Sequence, residues 1–192
     1  GTGQNAIATA RRFDGVQVLA IDLSLASLGY ALRKTRELGI GNIEYRQADL
    51  LAPGALPGRF DLIEASGVLH HLADPFAGLA TLAAALAPGG VMRVGLYSCT
   101  GRRNVARARE IIAAGSYPGT PEGIRACRAA IRARAGADPL LASIARNEDF
   151  FSLSGCRDLL FHVQETCFDL PEVAAMLGRL GDDPAIEPSA RH

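Results

Sequence analysis

The spacing of apolar residues alternates between two periods along the first half of the chain. Ala6, Ile7 and Ala10 fall at helical spacing, with Phe13 closing that face before the turn signal Asp14-Gly15. Val16 to Ile21 is then a short apolar run ending in Asp22, the pattern of a buried parallel strand. Ser24 is placed to cap a helix carrying Leu25, Leu28, Ala31, Leu32 and Leu38, which stops at Gly39. Ile43 to Gln47 and Phe60 to Ala65 read as two more strands. Between the second of these and the next strand, Asp74-Pro75 is a helix start, a capping carboxylate before a proline at the first helical position. That helix runs to Ala87 and ends at Pro88-Gly89-Gly90, and Val91 to Tyr97 is the last strand of the series.

Strands separated by helices of this length need crossover connections, so the pattern predicts an α/β fold, a parallel sheet with helices on both faces. Ligands of such sheets bind beyond the carboxyl ends of the strands. Topology alone therefore selects Gly1 to Gln4, Asp22, Asp49, Ser66 to His71 and Tyr97 to Cys99 for chemical scrutiny. After Thr100 the texture becomes helix upon helix. Ile124, Cys127 and Ile131 share one face while Arg125, Arg128 and Arg132 share another, and further helices are expected over Leu140 to Arg146, Ser154 to His162 and Pro171 to Leu180. The expected division is a ligand-binding core over 1–99, a C-terminal helical cap over 100–180 and a disordered tail over 181–192, whose polar residues include Pro184 and Pro188. The chain opens on glycines that ordinarily join a strand to a helix, so the sheet is expected to lack its first strand.

Composition narrows this only slightly. The 192 residues carry 20 basic and 20 acidic side chains, a balance that gives no global reason to expect a nucleic-acid partner. No run approaches the roughly 20 apolar residues of a membrane helix, and the start lacks a secretory signal, which points to a cytoplasmic protein. Cys99, Cys127, Cys156 and Cys167 form no CxxC pair, so neither a metal site nor a redox motif is expected of them. Arg102, Arg103, Arg107, Arg109, Arg125, Arg128, Arg132 and Arg134 make the helical region locally basic, a pattern that suits a solvated helix face and, less simply, an acidic substrate.

The candidate chemistry lies at the strand ends. Gly1-Thr2-Gly3 lets backbone approach a ligand where a β-carbon would clash, and it opens a helix whose amides face that ligand. Asp22, about 20 residues on at the end of the next strand, can accept from both hydroxyls of a ribose. The alternative is a structural turn with a capping aspartate. Asp49 could accept from an adenine amino group or cap a local turn. Together they indicate an adenosine-type cofactor.

These residues resemble a known family. Gly1-Thr2-Gly3-Gln4 resembles the end of the glycine-rich motif of class I S-adenosylmethionine-dependent methyltransferases, Asp22 their ribose-binding acid and Asp49 their adenine-contacting acid. FDLIEASGVLHHLADP, from Phe60 to Pro75, is similar to their fourth-strand motif, and LAPGGVMRVGLYS, from Leu86 to Ser98, to their fifth-strand motif. The nearest look is to bacterial type 11 and type 12 domains, some of which follow tetratricopeptide repeats in longer proteins. The resemblance implies a Rossmann-like core, S-adenosyl-L-methionine as cofactor, and an unidentified small-molecule or protein acceptor. It also implies a cofactor surface made by Gly1, Thr2, Gly3, Gln4, Asp22, Leu23, Ala48, Asp49, Leu50, Ser66, Gly67 and Val68.

An activated methyl group asks little of a protein beyond alignment and exclusion of water, and a base only where the nucleophile has a proton to lose. His70 and His71 are the candidates for that base. In the resembling families the pair is common whatever the substrate, which favours packing and loop anchoring. Glu64, inside its strand, is expected as a buried hydrogen-bonded carboxylate. Cys156-Arg157-Asp158 with Phe161 to Glu165 is a dense polar and aromatic cluster that could fold back over the pocket. Two other readings share parts of the pattern, a nicotinamide-dependent oxidoreductase and a degenerate methyltransferase domain serving as an interaction module.

Overall fold

A computed structural model describes residues 1–162 and 164–181. The expected tail therefore lies, apart from Gly181, outside the described residues. The chain forms two compact units, Gly1–Arg59 and a second beginning at Phe60. No helix among the described residues is long and apolar enough to cross a membrane.

The first unit contains α1 (Gln4–Arg12), β1 (Val18–Asp22), α2 (Leu25–Glu37) and β2 (Ile43–Gln47). β1 and β2 pair in parallel, Val18 beside Ile43 and Asp22 beside Gln47, so their carboxyl ends coincide. Both helices pack on this pair. Ser24 caps α2, its side chain accepting from the Ser27 amide at 3.2 Å. The buried face of α2 is narrower than expected: Leu28, Ala31 and Thr35 are buried while Leu25, Leu32 and Leu38 are exposed. Thr35 is accommodated because its hydroxyl lies 2.9 Å from the Ala31 carbonyl and 2.7 Å from the Tyr45 hydroxyl. Phe13 caps the end of α1 with extended backbone and is exposed, so it does not close the apolar face of that helix.

The second unit contains β3 (Phe60–Ser66), a 3₁₀ turn (Leu69–His71), α3 (Pro75–Ala84) and β4 (Leu86–Gly95). It continues with α4 (Arg103–Gly115), α5 (Pro121–Arg134), α6 (Pro139–Ala145), α7 (Leu153–Leu160) and α8 (Leu170–Gly181). β3 and β4 are also parallel. Asp74 caps α3 as expected, accepting from the Ala77 amide at 2.9 Å. The helix nevertheless stops at Ala84, and Pro88-Gly89-Gly90 belongs to β4 rather than ending α3. Gly89 adopts a φ of 77°, and a β-carbon on Gly90 would sit 3.0 Å from the Phe60 carbonyl oxygen. The segment is an irregularity tucked against β3, which shifts the register between Phe60 and Leu62. Glu64 is not buried as expected. Its side chain keeps 24% of its exposure, and its carboxylate accepts from Arg93, its register partner on β4, at 3.1 Å.

The helices after β4 have a core of their own. Val105 and Ala108 of α4, Ile124, Cys127 and Ile131 of α5, Leu141 and Ile144 of α6, Phe150, and Cys156, Leu159 and Leu160 of α7 form one buried cluster. Each fully buried aliphatic side chain contributes about 1.5–3 kcal/mol, which is why the period-3.6 stripe of α5 was readable in the sequence. Burial pushes the Cys127 thiol up to about 12, with Cys156 beside it adding to the effect, so Cys127 is an inert core residue.

Candidate functional site

In the first unit the glycine segment and the acid at the end of β1 come together. Gly3 is the N-cap of α1 with φ 84° and no side chain to satisfy the first amides of the helix. Those amides point outward with the positive end of the helix dipole, an arrangement suited to a polar or anionic ligand. A β-carbon on Gly3 would lie 2.7 Å from that of Ala31 and 3.2 Å from the Tyr45 hydroxyl, so only glycine lets α1 begin this close to α2 and β2. Gly1, Thr2 and Gln4 are exposed around it.

Asp22 is oriented by its own loop. One oxygen accepts from the Ser24 amide at 2.7 Å. The loop is held by Gln47, whose amide donates to the Leu23 carbonyl at 2.9 Å, while the Ala48 amide donates to the Asp22 carbonyl at 3.2 Å. Sequence reading did not single out Gln47. Its signal was the register of the two strands, which sets it beside Asp22. Leu23 is exposed and Ala48 half-buried. Asp49 is exposed and uses one oxygen in a local turn, accepting from the Leu51 amide at 2.9 Å. Its other oxygen has no partner among the described residues, so the turn fixes the carboxylate without consuming it. Leu50 turns inward and is buried.

In the second unit β3 delivers Ser66, beside Gly95 of β4. Gly67 follows with φ 75°, a conformation costly for other residues, and its amide donates to the Gly95 carbonyl at 3.3 Å. Val68 is exposed, and the 3₁₀ turn then carries His70 inward.

His70 and His71 part company here. His70 is 0% exposed, stacks on Tyr97 with centroids 3.7 Å apart, and neither ring nitrogen has a partner among the described residues. Burial, helped by the neighbouring His71, lowers its pKa to about 4. His71 is only half-buried, and its Nδ1 lies 3.1 Å from the Gln164 carbonyl. A carbonyl only accepts, so Nδ1 carries a hydrogen, and in the neutral ring Nε2 is the acceptor. His71 therefore has the tautomer of a base, while His70 is a packed anchor.

The cluster at the end of the sequence folds back onto this turn. The Thr166 amide donates to the His70 carbonyl at 2.8 Å, the Phe168 amide to the Tyr97 carbonyl at 2.8 Å, and Phe168 bridges Ser98 in parallel. His162 stacks on His71 at 4.0 Å. The Arg102 guanidinium lies 3.8 Å over the Tyr97 ring, necessarily on the face opposite His70. Both oxygens of Glu165 meet Arg102, at 2.7 and 2.8 Å, and Arg109 donates to one of them at 3.1 Å. Glu165 is 1% exposed, whereas Arg102 keeps 15% and Arg109 31%. Arg102 and Arg109 thus leave the solvated face on which the other arginines of this region were expected. Arg107, with Glu110 and Asp138, stays closer to that expectation.

The histidine that burial keeps neutral makes stability depend on pH. The folded-state value of His70, about 4, lies below the ordinary 6.5, so between these values the unfolded chain binds the extra proton. The His70 contribution is fully present above pH 6.5 and is lost progressively down to about pH 4, by up to about 3 kcal/mol. Urea melts of wild type and His70→Asn between pH 4 and 7 should show a shallower pH slope in the variant. Parallel slopes would remove His70 as the cause.

Residues 1–92 match the family model described as "Methyltransferase domain". An uncharacterized protein of Synechococcus sp. is 39% identical over 114 residues, 59% of this chain and 27% of its own length. Trans-aconitate 2-methyltransferase of Paracidovorax citrulli is 31% identical over 150 residues, 78% of this chain and 56% of its own length. The chain thus spans about a quarter to just over half of the length of these relatives. Among solved structures, PKMT2 from Rickettsia typhi in complex with AdoHcy superimposes with a TM-score of 0.74 over 93% of this chain and 36% of that one, at 18% identity.

Proposed function

We infer that this chain, whose residues 1–92 match the model of the methyltransferase-domain family, belongs to that family, binds S-adenosylmethionine and transfers its methyl group to an acceptor. The observation that carries this reading is the pairing, in one compact unit, of an uncapped helix start at Gly3 with the Asp22 carboxylate, fixed at the end of β1 by the Ser24 amide. In this reading the outward oxygen of Asp22 accepts from the ribose hydroxyls, Gly1 to Gln4 offer backbone at close range, and the second oxygen of Asp49 accepts from the adenine amino group. Leu23 lies against the base. Once bound, the cofactor supplies an already activated methyl group.

The protein then has to hold the acceptor, exclude water and, where the acceptor carries a proton, remove it. This reading gives the last task to His71, supported by the Gln164 carbonyl, which engages Nδ1 and in the neutral ring leaves Nε2 as the acceptor. His70 holds the turn through its carbonyl and its stack on Tyr97. The helices after β4 choose the acceptor in this account.

Asp49→Leu is expected to weaken binding of S-adenosylhomocysteine to the full-length protein about tenfold, the loss of one charge-assisted hydrogen bond, with little change in melting temperature. Calorimetric titration beside a thermal melt checks this. An unaltered isotherm would leave Asp49 with its local turn alone.

A further inference from the structure

A cavity of about 410 Å³ opens between α4 and the returning segment, lined by Arg102, Val105, Ala106, Arg109, Ala113 and Glu165 among others. Its volume falls in the range of small-molecule sites. Its charges are unevenly placed. Arg102 and Arg109 share the single carboxylate of Glu165, so one positive charge is left over where both guanidiniums are largely withdrawn from water. Glu110, also at the cavity, is held by Arg107 at 2.5 Å, and Asp138 on the other side of Arg107 accepts from the amides of Leu140 and Leu141. Arg107 is shared by these two acids, so the negative charge left over lies on its exposed side of the cavity, away from the buried Glu165 that the other two arginines share.

Each arginine also keeps a donor in reserve. Arg102 spends Nε and Nη2 on Glu165, with Nη2 also 3.5 Å from the Leu159 carbonyl. Arg109 spends Nη2 on Glu165 and Nε on the Leu160 carbonyl at 3.2 Å. Neither Nη1 has a partner among the described residues. The remaining wall, Val105, Ala106 and Ala113, is aliphatic. A cation with spare planar donors beside an aliphatic wall matches a carboxylate on a short carbon skeleton.

The cavity also adjoins the residues proposed to act on the acceptor. Arg102 lies 3.8 Å over Tyr97, and the Tyr97 and His71 rings are 6.0 Å apart, edge to face. We propose that Arg102 and Arg109 bind a carboxylate of a small organic acid in this cavity, and that this carboxylate is the anchoring end of the methyl acceptor. The proposal rests on the methyl-transfer reading for the acceptor's role but not for the binding itself.

Citrate, succinate and inorganic phosphate, titrated separately into the full-length protein without cofactor, test it. Citrate and succinate are expected to bind saturably and phosphate at least tenfold more weakly, because phosphate brings charge without a skeleton. Arg109→Gln should weaken citrate binding at least tenfold. Ala106→Leu, an exposed position that fills the cavity without touching an ion pair, should do the same while the protein melts as wild type. Arg125→Gln, on an exposed arginine that does not line the cavity, should leave citrate binding unchanged. No saturable binding of either acid, phosphate binding as tight as citrate, or citrate affinity indifferent to Ala106→Leu would overturn the proposal. S-adenosylhomocysteine titrated into the same samples reports separately on the methyl-transfer reading.

Discussion

Replacing Glu165 by alanine is expected to destabilise the protein by about 3 kcal/mol. Removing one member of a buried ion pair leaves the other charge desolvated and unpaired, an effect of about 3–5 kcal/mol, and the residual exposure of Arg102 and Arg109 puts this case at the lower end. The loss reaches further than the pair. Arg102 is held flat on Tyr97 by its two contacts with Glu165, and Tyr97 supports His70 from its other face. Glu165→Gln, which keeps an acceptor without the charge, should fall between wild type and Glu165→Ala. Urea unfolding measures the series, and an unchanged midpoint for Glu165→Ala would mean that the two arginines find water or another partner as readily as the carboxylate.

Asp22→Ala is expected to leave the fold nearly intact and to remove about 1–3 kcal/mol of affinity for S-adenosylhomocysteine, or roughly 5- to 150-fold in Kd. The fold should survive because α2 keeps its own cap at Ser24 and the loop keeps the bond from Gln47 to the Leu23 carbonyl. The local loss is the bond from the Ser24 amide. Asp22→Asn discriminates further: it preserves that acceptor and loses the charge, so its affinity should lie between those of wild type and Asp22→Ala. Equal affinity in all three proteins would place the ribose elsewhere.

What the sequence disclosed, and what it hid, follows the range of the contacts involved. β2 was readable to the residue because alternation and flanking glycines are local signals, and the start of α3 was readable because Asp74 caps it three residues away. The end of α3 was misread because Pro88-Gly89-Gly90 looks like a helix stop, whereas Gly90 is required by backbone carbonyls of β3 some thirty residues earlier. Thr35 was missed for the same reason, since its partner Tyr45 stands on another element. At the candidate site, the positions of Asp22 and Asp49 after their strands were legible, whereas the packing that requires glycine at Gly3 was not, because Ala31 and Tyr45 stand on other elements. Glu165 was visible only as part of an unexplained cluster, because its partners are 63 and 56 residues distant and no spacing rule connects them. The two adjacent histidines are chemically identical in sequence. Only burial and the Gln164 carbonyl tell them apart, one ring packed inside and the other held through Nδ1 near the surface.

The most direct test of the central claim is a parallel calorimetric titration of the full-length protein with S-adenosylmethionine, S-adenosylhomocysteine and NAD. The cofactor reading predicts saturable, equimolar binding of the two S-adenosyl compounds and none of NAD. Saturable binding of NAD without the S-adenosyl compounds, or no binding of any of the three, would contradict it.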